Sequence, residues 1–166
     1  MPLGGDIILA SDWANLVVPP PRMMYDPTNL TGQTNPGQSA GSPVCGVAFT
    51  APPSGRVLVH TMAQLIQTGG TGSPYTYAGG FVRAGATLAT GANVHDPSIG
   101  EPMGRVSCGG GTLSAGVGAG ASIIHEGLTP GAPYNVVVVT WVSGGTGGNY
   151  TVIARGILAV PLPFTT

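Results

Sequence analysis

Lysine is absent from the 166 residues, and the chain carries only five arginines against six acidic side chains, a net charge of −1. Affinity for a nucleic-acid backbone grows with the number of clustered cations, and Arg22, Arg56, Arg83, Arg105 and Arg155 stand far apart. No nucleic-acid interface is therefore expected, and no polybasic membrane anchor. Long apolar runs are missing too. The most apolar stretch, Val136 to Val142, is interrupted by Thr140 and falls far short of the roughly 18–20 residues that cross a bilayer. Cysteine occurs only at Cys45 and Cys108, too little for a disulfide scaffold. The opening MPLGGDIILASDW sets Asp6 and Asp12 around a short apolar run, where an export signal has a basic start. Synthesis in a reducing cytosol, with both thiols buried and free, is the expectation.

Glycine and proline, 29 and 16 residues, fill about a quarter of the chain, a share at which low-complexity disorder is a live alternative. Disordered chains combine low hydrophobicity with high charge, whereas here 42% of residues are hydrophobic and 7% charged. The chain therefore folds, and its length suits one domain with an appendage.

Residues 1–43 form that appendage, an extended N-terminal arm and linker, because Pro2, Pro19, Pro20, Pro21, Pro27, Pro36 and Pro43 forbid regular helix and interrupt strand pairing. Asp6 to Val18 is expected to be extended, a short helix capped by Ser11 or Asp12 being the alternative, followed by a polyproline-like segment and a turn-rich linker from Thr28 to Ser42. Residues 44–166 change character: short runs of Val, Ile, Thr and aromatics between glycine clusters are an all-β signature. Strands are expected near Val44–Thr50, Arg56–Gln67, Tyr75–Arg83, Ala86–Ala89, Gly104–Cys108, Thr112–His125, Pro133–Ser143 and Asn149–Val160. The fold class is an antiparallel β-sandwich, jelly-roll or immunoglobulin/fibronectin-like. In Arg56–Gln67 the set Val57, Val59, Thr61, Ala63, Leu65 alternates with Leu58, His60, Met62, Gln64, Ile66, so both faces carry apolar groups. A single domain covers one face of such a strand; the other needs a partner chain or the arm. Pro27–Gly55 and Gly127–Ala154 contain no charged side chain, which a dispersed monomer tolerates poorly. A homo-oligomer follows, a trimer being the expected number.

Motifs that carry chemistry are scarce. Gly116, Gly118 and Ala121 match a dinucleotide fingerprint formally, yet Ser122 to Glu126 and the turn after it leave no room for the helix that would hold a pyrophosphate. Gly144–Tyr150 lacks the lysine of a phosphate loop and reads as a hairpin loop. His60, His95 and His125 are too dispersed for a local metal motif; a zinc site gathered from His60, His125 and a cysteine is the one arrangement left open beside ordinary histidines. No GxSxG occurs, and both cysteines sit in apolar strand contexts where a thiol is inert. The sequons at Asn29 and Asn149 are read as chance. No catalytic residue, metal or cofactor is expected.

Leu128-Thr129-Pro130-Gly131-Ala132-Pro133-Tyr134, followed by NVVVVTW, resembles the tyrosine corner of fibronectin-type sandwiches, in which a Tyr hydroxyl hydrogen-bonds to upstream backbone; Tyr134 is that residue. Two further stretches resemble virion proteins of tailed bacteriophages of actinobacteria. GDIILASDWANL is similar to the opening segments of their structural proteins, and Phe49–Ala63 with Gly127–Pro163 is similar to their β-rich decoration, head-fibre and minor tail proteins. The resemblance implies a capsid decoration protein on the outer surface of the virion, made in the host cytoplasm, that cements the major capsid protein and acts without a catalytic residue. Shell contact is then expected from Ile7, Ile8, Leu9, Trp13, Leu16, Val17, Val18, Met23, Met24 and Tyr25, apolar groups in a segment with no core of its own, unless they fold back on this chain's own sandwich. The alternatives are a minor tail, baseplate or receptor-binding protein, with Tyr75, Tyr77 or Tyr150 as exposed aromatics, and, in another class, a bacterial surface adhesion module.

Overall fold

The computed structural model describes residues 18–34, 37–71, 75–97, 105–108, 117–143 and 146–163. Among them are ten strands and no helix: β1 (Arg22–Asp26), β2 (Leu30–Gln33), β3 (Gly46–Thr50), β4 (Val57–Thr71), β5 (Tyr75–Ala84), β6 (Asn93–His95), β7 (Arg105–Cys108), β8 (Val117–His125), β9 (Pro133–Ser143) and β10 (Thr146–Pro161). Sheet I runs β1-β10-β4-β8, with β2 beside β1 on the same edge of β10; sheet II runs β3-β9-β5-β6, with β7 beside β6 on the same edge of β5. Every pairing is antiparallel.

The pairings nest. β5 pairs β6 and β7, β4 pairs β8, β3 pairs β9, and β1 with β2 pairs β10, as in one long antiparallel ribbon. The ribbon is then rolled so that β4 meets β10 and β5 meets β9. From β2 onward, strands alternate between sheets along the chain except at the β5–β7 tip. This is the jelly roll; an immunoglobulin-type sandwich keeps more consecutive strands together in one sheet. The expected all-β antiparallel sandwich forms, and the topology selects between its two versions.

Two local expectations are corrected. Ala86–Ala89 is a turn, not a strand, because positive φ at Gly85, Ala89 and Gly91 bends the chain away from a ladder. Asn135, fully buried on β9, holds that turn: its Oδ1 accepts from the Ala89 N–H at 3.1 Å, and its Nδ2 donates to the carbonyls of Gly85 (2.9 Å) and Thr90 (3.1 Å). The strand sits further on, at β6. Within the expected arm, β1 and β2 are sheet strands, so residues 22–33 lie on this chain's own sandwich, the alternative to external contact. Part of the expected linker from Thr28 to Ser42 is thus ordered as β2, and Ser39 bridges Thr140 of β9.

The core lies between the inner faces. Val57, Val59, Leu65, Val152 and Ile157 of sheet I meet Val47, Phe49, Ala78, Val82, Val136 and Val138 of sheet II. Gly80 marks a close approach of the sheets: a Cβ there would stand 2.8 Å from Thr61 Oγ1 and 3.0 Å from Val59 Cγ1. Charge enters once. Arg155, 1% exposed on β10, is paired with Asp26 of β1 and donates to the carbonyls of Ala40 and Pro43, each at 2.7 Å. One guanidinium thereby fastens β1 and the segment leading to β3 onto sheet I.

Candidate assembly surface

The two outer faces differ in what covers them. On sheet II, Phe81, Val137, Val139 and Trp141 form a second apolar cluster, roofed by Ala40 and Val44 from one side and Leu88 and Ala89 from the other. That is how the two-faced strand β9 is satisfied within one chain. On sheet I the alternation puts Val57, Val59, Thr61, Ala63 and Leu65 of β4 inward, all buried, and leaves Leu58, His60, Met62, Gln64 and Ile66 outward and more exposed.

Register extends this outer set across the sheet. Tyr25, Gly156, Met62 and Gly120 stand in one cross-strand row; Met23, Leu158, His60 and Ser122 in the next; Val160, Leu58 and Ile124 in a third. Among the described residues the rows hold no charged side chain. Among the described residues five large apolar side chains are exposed: Met23 (68%), Tyr25 (62%), Met62 and Ile124 lie on this face, and Val94 lies elsewhere. Concentrated on one face, these side chains form a contiguous apolar patch, unlike scattered exposed ones. The glycines shape it: a Cβ on Gly156 would stand 2.9 Å from Met62 Cε, and one on Gly120 3.0 Å from the His60 ring, so those side chains lie across the sheet. An open trough of about 580 Å³ results, lined by Tyr25, His60, Met62, Gly120, Gly156 and the buried, ion-paired Arg155. His60 Nδ1 and Ser122 Oγ hydrogen-bond to each other at 2.6 Å beside it.

Of the ten residues expected to contact a shell, Ile7, Ile8, Leu9, Trp13, Leu16 and Val17 lie outside the described residues. Val18 is half-buried, Met23 and Tyr25 project from sheet I, and Met24 turns inward to pack on the core. The β4 members of the face are visible in the sequence as its second apolar set. Its members on β1, β8 and β10 needed the register.

The histidines regroup. His60 is on the outer face of sheet I and His125 faces inward, so no site joins them; instead the rings of His95 and His125 meet with centroids 4.3 Å apart. His125 Nε2 is buried without a hydrogen-bond partner, and burial, helped by His95, pushes the ring down to about 4. Cys45 is a free, fully buried thiol pushed up to about 11, chiefly by burial, and is inert as a nucleophile at neutral pH; the Cys108 side chain lies outside the described residues. Tyr134 OH accepts from the Thr129 N–H at 3.0 Å while its ring stacks on Phe49, centroids 5.9 Å apart. Tyr150 is no exposed loop aromatic: it is buried and its hydroxyl donates to Thr140 Oγ1 at 3.0 Å, because β10 runs through its position into the core. Tyr77 stacks on Trp141, centroids 5.2 Å apart, and the Tyr75 side chain lies outside the described residues. Gly118 to Ala121 are strand residues of β8, so the formal dinucleotide fingerprint has no helix behind it.

No family model matches the chain, and no curated protein matches it. Among solved structures it is similar to the structure of infectious bursal disease virus, Gx strain, with 16% identity and a TM-score of 0.47 over 84% of this chain and 31% of that one.

Proposed function

We propose that the chain is a structural protein of a virion, held in the particle by burial of apolar surface, and within that class a decoration protein that cements the major capsid protein from outside. The observation that carries this reading is the outer face of sheet I, whose three central rows hold no charged side chain and on which, among the described residues, four of the five exposed large apolar side chains collect. Fold alone does not assign a function, since jelly rolls serve shells, lectins and other proteins alike. A broad apolar face suits permanent assembly. Covering it removes apolar area from water at roughly 25 cal/mol per Å², and several copies engaging one shell multiply the effect. In this reading Ile7, Ile8, Leu9, Trp13, Leu16 and Val17 reach the capsid, the protein acts with copies of itself, and no catalytic step or cofactor takes part.

The test is saturable binding of the purified chain to preformed shells that lack it, with a gain in their resistance to heat or osmotic shock. Because β1 belongs to the sandwich, the informative deletion is residues 1–17, which leaves sheet I whole. That deletion is expected to weaken shell binding sharply, and binding of the full chain is expected to survive about 0.5 M salt. Failure to bind shells, with labelling of tail tips, would replace decoration by a tail or receptor-binding role.

That second reading has its own observation. A cleft of about 400 Å³ on the outer face of sheet II brings Gln38, Arg83, Asn93 and Asp96 over Phe81 and Val137. Arg83 lies 4.2 Å above the Phe81 ring, and Gln38 donates to Asp96 across the cleft. Polar groups converging over an apolar floor are what a small receptor group would meet, on a tail tip or on an adhesion module.

A further inference from the structure

We propose that the outer face of sheet I is a copy-to-copy interface, on which two molecules of this chain pack face to face about a two-fold axis. The inference deepens the virion reading by naming the occupant of that face, and leaves the shell to the N-terminal segment.

Area is the first argument. Four strands at about 4.8 Å and seven residues from Ala154 to Val160 at about 3.3 Å give a face of roughly 19 by 23 Å, and side-chain relief raises its accessible area to about 600 Å². Two such faces bury about 1,200 Å² together, the lower bound for a stable specific interface. A narrower face would hold a peptide only.

Self-compatibility is the second. A two-fold sets the patch against its own copy, so a patch carrying charge of one sign repels itself, and the rows from Tyr25 to Ile124 carry none. The polar pair, His60 and Ser122, is already joined within the chain at 2.6 Å, which leaves less to desolvate on burial. Relief is the third. Tyr25 stands on the β1 side of the trough floored by Gly156 and Gly120, and a two-fold sets the ridge of each copy over the trough of the other. Face-to-face sheets interdigitate in this way at about 10 Å separation. This places Met23 and Tyr25 against a second copy, not the capsid, and makes the expected number two instead of three.

Sedimentation equilibrium of the full chain tests it. The expected result is a dimer with a dissociation constant of about 10 µM or tighter, unchanged between roughly 0.05 and 0.5 M salt. Met62→Arg and, independently, Ile124→Arg each set like charges into the face and are expected to raise that constant at least about 100-fold with the circular dichroism spectrum preserved. Val94→Arg, at an exposed apolar site on β6, is expected to leave it unchanged. A monomer at about 100 µM, a trimer, or a dimer indifferent to both face variants would overturn the pairing. A monomer that binds shells refutes the interface and keeps the virion reading; a dimer that binds no shell does the reverse.

Discussion

Arg155 is the side chain that ties β1 to the segment before β3. Its charge is neutralised by Asp26, and its Nη1 and Nη2 donate to two carbonyls of the segment before β3. Removing one partner of a buried ion pair strands the other, so Arg155→Met is expected to cost about 3–5 kcal/mol in denaturant unfolding. Tyr134→Phe keeps the stack on Phe49 and deprives the Thr129 N–H of its acceptor, for an expected loss of about 1 kcal/mol. The buried His125 works through pH. Its folded value, about 4, lies below the ordinary 6.5, so the unfolded chain takes up the proton first on acidification. Stability present above pH 6.5 is lost as the pH falls toward 4, by about 1.4 kcal/mol per unit. His125→Leu is expected to flatten that slope in melts between pH 6.5 and 4. Asp26, held low by its hydrogen bonds with Thr28 and by Arg155 against the effect of burial, contributes stability that is lost only below the ordinary carboxylate range.

Among the elements, the turn from Gly85 to Thr90 shows how a buried amide replaces a ladder. Asn135→Ala removes all three of its hydrogen bonds and is expected to cost about 2 kcal/mol and to speed hydrogen exchange at the Ala89 amide, since Leu88 and Ala89 lose their hold over sheet II. That turn also marks where sequence patterning stops being informative. Strands β3, β4, β5, β9 and β10 are legible because β-branched and aromatic runs alternate over five or more residues. β6 has three residues, and β1 follows three prolines with no alternation strong enough to outweigh them; both exist because a neighbouring strand offers an edge. The candidate face was half legible for the same reason. Leu58 and Met62 announce a second apolar set on β4, whereas Ile124, Leu158 and Tyr25 join it only through the register of three other strands.

In the whole molecule, β10 occupies the interior of sheet I, between β1 and β2 on one side and β4 on the other, with Arg22 opposite Ala159. A ribosome delivers this strand after every other described strand, so a nascent chain holds β1, β2 and β4 without the neighbour that joins them. Sheet II has all its strands once residue 143 has emerged, which makes it the half that can assemble first. Closure across so many intervening residues is slow, on the order of milliseconds to seconds for topologies of this kind. A chain stopped at residue 145 is expected to show no cooperative thermal transition and to aggregate through the bare edge of β4. Interrupted translation thus yields a sticky fragment, and the arrival of β10 is what turns that exposed strand into the middle of a sheet.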